Sequence, residues 1–382
     1  MKKSYTVGLI AAPEFAENIS HRLVEKLPKS LKKYISNSID WEMEMEVDSM
    51  TGAAETVEEI FKEAAIYKQD KQWDYVVCLT DLPIFHYRDI VAADINEDKG
   101  IILLSIPAFG WGSLLKNIKN AIIYTFKEID NQEFRTKEPK GRIIWREFSI
   151  LPIKRIKVRL TETNNIHTRY IVYPKVNGLL RLLSGMAYAN DPVKMMSNLT
   201  SVVAVAFTTG GFGLIFTTMW TLSHLFSDLR LTFIMLLAIV GMVVWIILAH
   251  ELWEPIKTSS YKRISRLYNL TTILTLSISV LAYYLAVFIL FLATSSVLIP
   301  PDYLGEILML EESATFINYL NIAWFAASLS TVAGAIGVGL ENEEVVRDST
   351  YGYRQKRRYE EVLKKKREQD KLKEYESENY DD

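Results

Sequence analysis

Asp81 and His86 are the two side chains whose types and spacing come nearest to general acid–base chemistry, a carboxylate and an imidazole able to pass a proton along one loop. They belong to the run Asp81-Leu82-Pro83-Ile84-Phe85-His86, which Tyr87, Arg88 and Asp89 continue. The remaining inventory points away from catalysis. His21, His86, His167, His224 and His250 never lie within four residues of one another, so no helical metal pair exists and no metal is expected. Cys78, the only cysteine, excludes an internal disulfide and any multi-cysteine site, and its apolar neighbours place it in a core. No Gly-x-Ser-x-Gly elbow occurs, no Gly-x-Gly-x-x-Gly follows the first strand, and no Gly-Lys-Ser/Thr phosphate loop is present. No cofactor is therefore expected. The net charge of −2 gives no bulk basicity for nucleic acid.

The elements that carry these residues alternate. Tyr5–Ala11 reads as a strand, Glu14–Tyr34 as helical, and Thr56–Lys68 as a helix. In residues 41–47 Trp41, Met43, Met45 and Val47 share one face and Glu42, Glu44 and Glu46 the other, the period-two pattern of a strand near a sheet edge. Asp74–Thr80 reads as a buried strand, Asp89–Asn96 with Gly100–Ile106 as a hairpin, and Ser113–Ile129 as a further helix. Such alternation predicts an α/β domain over residues 1–135 with a mostly parallel sheet in three layers. Ligands of open α/β sheets bind beyond the carboxyl ends of the strands. Those ends supply the ligand-binding candidates Pro13, Glu14, Asp48, Ser49, Thr51, Thr80, Asp81, Gly110 and Trp111.

Residues 136–195 are expected to be a basic β and juxtamembrane segment. Lys137, Lys140, Arg142, Arg146, Lys154, Arg155, Lys157 and Arg159 alternate with apolar residues, and either anionic headgroups or solvent would suit such a face. Residues 176–189, with several leucines around Arg181, are too short to span a bilayer and read as an interfacial amphipathic helix ending at Pro192.

Between residues 196 and 340 the chain changes solvent. Mean hydropathy is only +0.07 overall, yet the segments Leu199–Leu222, Leu229–Ala249, Leu270–Ile299 and Phe316–Leu340 hold no Asp, Glu, Lys or Arg in their interiors. Each meets the need for about 20 apolar residues, and each internal charge would have cost roughly 2.5–3.5 kcal/mol. Four transmembrane helices over residues 196–340 are the expectation, forming an all-α bundle. Lys257, Lys262, Arg263 and Arg266 mark the middle loop as cytoplasmic, while the loop after the third span carries Asp302, Glu306, Glu311 and Glu312 and no cation. An even number of spans puts both termini in the cytoplasm. Arg181 and the four loop cations are the expected membrane-surface residues. Ala333, Gly334, Gly337 and Gly339 form small-x-x-x-small pairs for close helix packing, within the bundle or across a homodimer seam. The tail, residues 341–382, lacks a sustained heptad; it reads as a solvated charged helix whose block Arg354, Lys356, Arg357 and Arg358 could touch anionic lipid.

Gly178-Leu179-Leu180-Arg181-Leu182-Leu183-Ser184-Gly185-Met186, His250-Glu251-Leu252-Trp253-Glu254 and Tyr351-Gly352-Tyr353-Arg354 make residues 173–353 resemble a group of uncharacterised membrane proteins of Gram-positive bacteria. The resemblance implies a bacterial plasma-membrane address and brings no activity with it. In its order of elements, a hairpin and then a helix, the N-terminal domain resembles zincin-like metalloproteases. Where those carry His-Glu-x-x-His this helix reads Tyr124-Thr125-Phe126-Lys127-Glu128, without either histidine, which argues against peptidase activity.

The leading expectation is a non-enzymatic, membrane-anchored sensor or scaffold whose cytoplasmic domain binds a ligand or protein partner. An oligomeric permease or channel subunit is the alternative; span interiors free of ionisable residues weigh against a coupled carrier. A membrane-tethered enzyme using Asp81 and His86, or a degenerate hydrolase, is the third.

Overall fold

The computed structural model describes residues 3–54, 56–130, 143–144, 148, 152–158, 166–192, 195, 200–255, 262–338, 346–348, 350 and 351–378. The chain divides into two compact units, Met1–Ala189 with Tyr353–Asp382, and Asn190–Gly352.

In the first unit β1 (Lys3–Ala11) is flanked by β2 (Ile39–Val47) and β3 (Tyr75–Thr80), both parallel to it. Between β1 and β2 run α1 (Phe15–Val24) and α2 (Leu27–Tyr34), and α3 (Val57–Asp70) leads to β3. β4 (Ile84–His86), β5 (Asp89–Asn96) and β6 (Ile101–Ser105) follow, then α4 (Leu114–Asp130). The described strands of the basic segment are β7 (Ile143–Ile144), β8 (Ile153–Lys157) and β9 (Thr168–Val172). They join one sheet in the order β2-β1-β3-β6-β5-β9-β8-β7, with β4 paired to β5.

The sheet is mixed, and the expectation of a mostly parallel one is corrected. β2, β1, β3 and β6 are mutually parallel, whereas β5 and β7–β9 pair antiparallel. The β5–β6 hairpin reverses direction with too few residues for a crossover, and β9 then adds to β5 antiparallel. The described strands of the basic segment thus belong to this sheet, while Lys137, Lys140, Arg142, Arg146 and Arg159 lie outside the described residues.

β3 is buried on both faces. Val76 and Cys78 pack with Ile60 and Phe61 of α3, while Tyr75 and Trp41 meet Phe126 of α4 with ring centroids 5.2 and 5.8 Å apart. β2 lies at the sheet edge, as its alternation predicts. Gly8 on β1 leaves room for the Trp73 ring, whose Nε1 donates to Glu44 at 2.7 Å.

α5 (Lys175–Ala189), expected to be an interfacial helix, packs one face on the sheet domain and leaves Leu179 and Leu180 exposed. Leu182, Leu183, Met186 and Ala187 are buried, and Gly185 lies against the Pro107 backbone in the turn Ile106–Phe109. Arg181 is only 6% exposed, packed beside Gly110, and so is no membrane-surface residue of this structure. Burial lowers its pKa to about 10.

The second unit is helical. α8 (Asp228–Ala249), α9 (Lys262–Leu298) and α11 (Phe316–Val338) include three stretches long and apolar enough to cross a membrane. α9 runs 37 residues, about 56 Å at 1.5 Å per residue, so its start, with exposed Lys262, Arg263 and Arg266, reaches beyond any hydrocarbon layer. Lys257 lies outside the described residues. α10 (Pro301–Ile307) caps the loop before α11.

The first predicted span is not one helix. α6 (Thr200–Leu214) and α7 (Thr217–Leu225) meet at a bend of 91°. Ile215 and Phe216 close tight turns onto Phe212 and Gly213, and Trp220 Nε1 donates to the freed Leu214 carbonyl at 3.0 Å. A broken helix at membrane depth needs that satisfaction. Gly334 on α11 is buried against Tyr283 and Ala206, and Gly210 on α6 against Ser330 and Phe291. The small-residue face of α11 is filled at Gly334 by its own bundle, with Ala333 half-buried. The surroundings of Gly337, and Gly339 altogether, lie outside the described residues.

Candidate functional site

The chain leaves β1 through α1 and α2 for β2 on one side and reaches β3 on the other. The strand order therefore reverses at β1, and the crevice beyond the carboxyl ends of β1 and β3 is where such sheets hold ligands. Here it is occupied by α12 (Tyr351–Glu378), the helix expected to be solvated. Arg354, Arg358 and Val362, spaced by one turn, are all buried. Val362 enters the core between the sheet and α3.

Arg358, 2% exposed, is ringed by acceptors. Its Nη1 donates to Asp81 Oδ1 at 2.8 Å and to Gly52 O at 3.3 Å, and its Nη2 to Pro13 O at 2.9 Å. Glu14 Oε2 stands 3.6 Å from the same Nη2. Arg357 pairs with Glu14. Arg354 donates to the Ala189 carbonyl at 3.2 Å, with Glu14 at 3.9 Å. Ser49 Oγ donates to Glu361 at 3.3 Å and Gln355 to Ala53 O at 3.5 Å. Asp81 and Arg358 are 277 residues apart in sequence.

The local chain shapes this cradle. Asp48 accepts from the Thr51 N–H at 2.8 Å and from its hydroxyl at 2.9 Å, holding the turn Met50–Gly52. A Cβ at Gly52 would stand 2.5 Å from Arg358 Nη1, so only glycine lets the guanidinium in. Thr80 Oγ1 accepts from Leu82 N–H at 3.1 Å and fixes the Asp81 loop. Glu14 adopts φ 68° at the N-cap of α1, where its N–H donates to Glu17 Oε2 at 3.1 Å.

The structure brings Pro13, Glu14, Ser49 and Asp81 together around the tail, with Asp48, Thr51 and Thr80 supporting their loops. Gly110, at φ 73°, and Trp111 lie beyond β6 and pack on α5; Trp111 is 5.4 Å from the Tyr188 ring, which is 5.6 Å from Phe15 at the start of α1. Asp81 and His86 engage different groups. Asp81 faces Arg358; His86 lies on β4, meets Tyr87 edge-on with ring centroids 4.6 Å apart and acts electrostatically on Asp94. Asp94 itself holds Arg169 through two bonds of 2.6 and 2.8 Å, and burial raises its pKa against that pull.

A second buried polar cluster sits on α4. Glu128, fully buried, accepts from Arg155 and Tyr170, while Glu97 accepts from Lys157 at 2.6 Å and Thr168 at 2.5 Å. Burial and the Glu128 charge push the Tyr170 phenol well up. Among the described residues no three His, Cys, Asp or Glu side chains gather as metal ligands.

Gln355 and Glu361 are absent from the sequence candidates, and Arg354, Arg357 and Arg358 stand there only as a block that could touch anionic lipid. No sequence signal separates Arg354 and Arg358 from the other charges of this helix. Comparison with family models, curated proteins and solved structures gives no match.

Proposed function

We propose that this chain is a membrane-anchored, non-enzymatic sensor or scaffold, whose binding site is the crevice at the carboxyl ends of β1 and β3, closed in this conformation by its own α12. One observation carries the reading: a carboxylate 1% exposed, Asp81, is met at the crevice by a tail guanidinium 2% exposed, at 2.8 Å. A buried charge pair far from any reacting group sets a conformation and does no chemistry. The tail as cis occupant makes the crevice sensitive to whatever competes with it.

The same pairing supports the address. Residues 1–189 and 353–382 form one unit and so share one side of a membrane, which requires an even number of crossings between them. Three straight spans and one bent pair satisfy parity if the pair crosses too. With the cations of the α8–α9 connection this supports a bacterial plasma-membrane protein with both termini cytoplasmic.

The test is a thermal-shift screen of metabolites and peptides on the full chain in nanodiscs. At least one ligand should raise the unfolding temperature of the wild type and lose its effect in Asp81→Asn. If nothing stabilises the protein through Asp81, the reading fails. A second reading, an oligomeric permease or channel subunit, is favoured by the 91° break in α6–α7 and by the buried hydroxyls of Thr271, Thr275, Ser279 and Tyr283 along α9. Ion and solute flux in liposomes separates the two, since a sensor or scaffold passes none.

A further inference from the structure

We infer that the crevice is a receptor for a guanidinium group, with Arg358 as its built-in and displaceable occupant. This deepens the function proposed above and rests on it. Every group directed at the occupant is an acceptor: Asp81 Oδ1, the Gly52 and Pro13 carbonyls, and the Glu14 carboxylate. Of the N–H groups at the start of α1, where an anion would usually sit, those of Glu14, Glu17 and Asn18 are already engaged. Glu14 N–H donates to Glu17 Oε2 at 3.1 Å, Glu17 N–H to Ala12 O at 3.0 Å and Asn18 N–H to Glu14 O at 3.0 Å. A planar cation with several N–H donors fits this set of acceptors.

Arg358 fills this receptor imperfectly. It reaches Asp81 through one oxygen, and Asp81 Oδ2, buried, has no hydrogen-bond partner among the described residues. The same domain contains the better arrangement, the two-bond pair of Arg169 with Asp94. Parallel N–H bonds to both carboxylate oxygens are the stronger geometry. A guanidinium not tethered to a helix backbone can adopt it at Asp81. The incoming group is then either a free guanidino compound or an arginine of a peptide segment; both present the same chemistry.

The experiment uses the full chain in nanodiscs. Arg358→Ala empties the cradle, and methylguanidine, well below denaturing concentrations, should raise its unfolding temperature saturably. Methylammonium and sodium chloride at matched ionic strength should not, and Asp81→Asn/Arg358→Ala should not respond. In the wild type, methylguanidine or a peptide copying residues 351–368 should speed tryptic cleavage at Lys364 to Arg367 several-fold by releasing α12. Activity of methylguanidine assigns a free compound, and activity of the peptide alone assigns a protein segment. The wild-type cleavage assay stands even if Arg358→Ala fails to fold. Absence of rescue in a folded Arg358→Ala, or rescue without tail release in the wild type, overturns the inference and leaves a fixed structural pair. A different ligand class acting through Asp81 would defeat this inference while sparing the proposed function.

Discussion

Two charges define the molecule at the scale of single residues. Removing one partner of a buried ion pair strands the other, at a cost of about 3–5 kcal/mol. Asp81→Asn and Arg358→Ala should each lower the stability of the first unit by that order, and Asp81→Leu/Arg358→Met should recover most of it; thermal unfolding of the four proteins in detergent checks the cycle. Tyr67, on α3, shows a different linkage. Burial first, then the charges of Asp48, Glu63 and Glu46, raises its phenol to about 12 from 10.0. The folded state keeps that proton longer than the unfolded one, so its contribution is complete below pH 10 and is lost as pH rises to about 12. Tyr67→Phe should flatten the fall of stability across that window, measured by chemical unfolding at a series of alkaline pH values. The carboxylate at 81 was legible in the sequence as a strand-end acid. Its partner was not, because an arginine on a charged helix looks the same whether solvated or buried, and only a matching buried anion separates the cases.

Among the elements, β1, β3 and the β2 edge followed from periodicity, since a strand buried on both faces and one with a wet face write different patterns. β8 and β9 were expected only as a basic pair, and their membership of the main sheet was hidden. Arg155 and Arg169 are interior there because Glu128 and Asp94, distant in sequence, receive them. The bend between α6 and α7 was equally hidden. Neither proline nor charge marks it, and Gly210-Gly211-Phe212-Gly213 reads as a packing face as readily as a weak point. Gly210 does serve packing, with Ser330 and Phe291 against it. Gly210→Val should overpack this contact and cost about 1–3 kcal/mol, seen as a lower unfolding temperature in detergent, whereas Gly241→Val, where nothing lies within 4 Å, should be nearly neutral.

For the molecule as a whole, the expectation of four spans meets three helices long and apolar enough to cross a membrane, and a fourth if the bent pair counts as one. Side-specific labelling checks the crossing count. Single cysteines introduced at Glu311 and at Lys365, in a Cys78→Ala background, should respond oppositely to an impermeant thiol reagent applied to intact cells: Glu311→Cys modified, Lys365→Cys protected. Equal labelling would remove the parity argument. The domain division expected after residue 135 and again at 341 gives way to a unit that gathers residues 1–189 with 353–382. Binary patterning reports which residues avoid water. It carries no record of which distant segments share a core.

Arg358 and Val362 complete a fold that β1 begins more than 300 residues earlier. Chains are made from the N-terminus onward, so the sheet domain must wait, with Asp81 unmatched, until all the apolar helices have left the ribosome. Its maturation is thereby tied to theirs. A nascent protein stalled before α12 carries an unfinished soluble domain, and proteolysis of ribosome-bound intermediates of increasing length should show that domain gaining resistance only once Val362 has emerged.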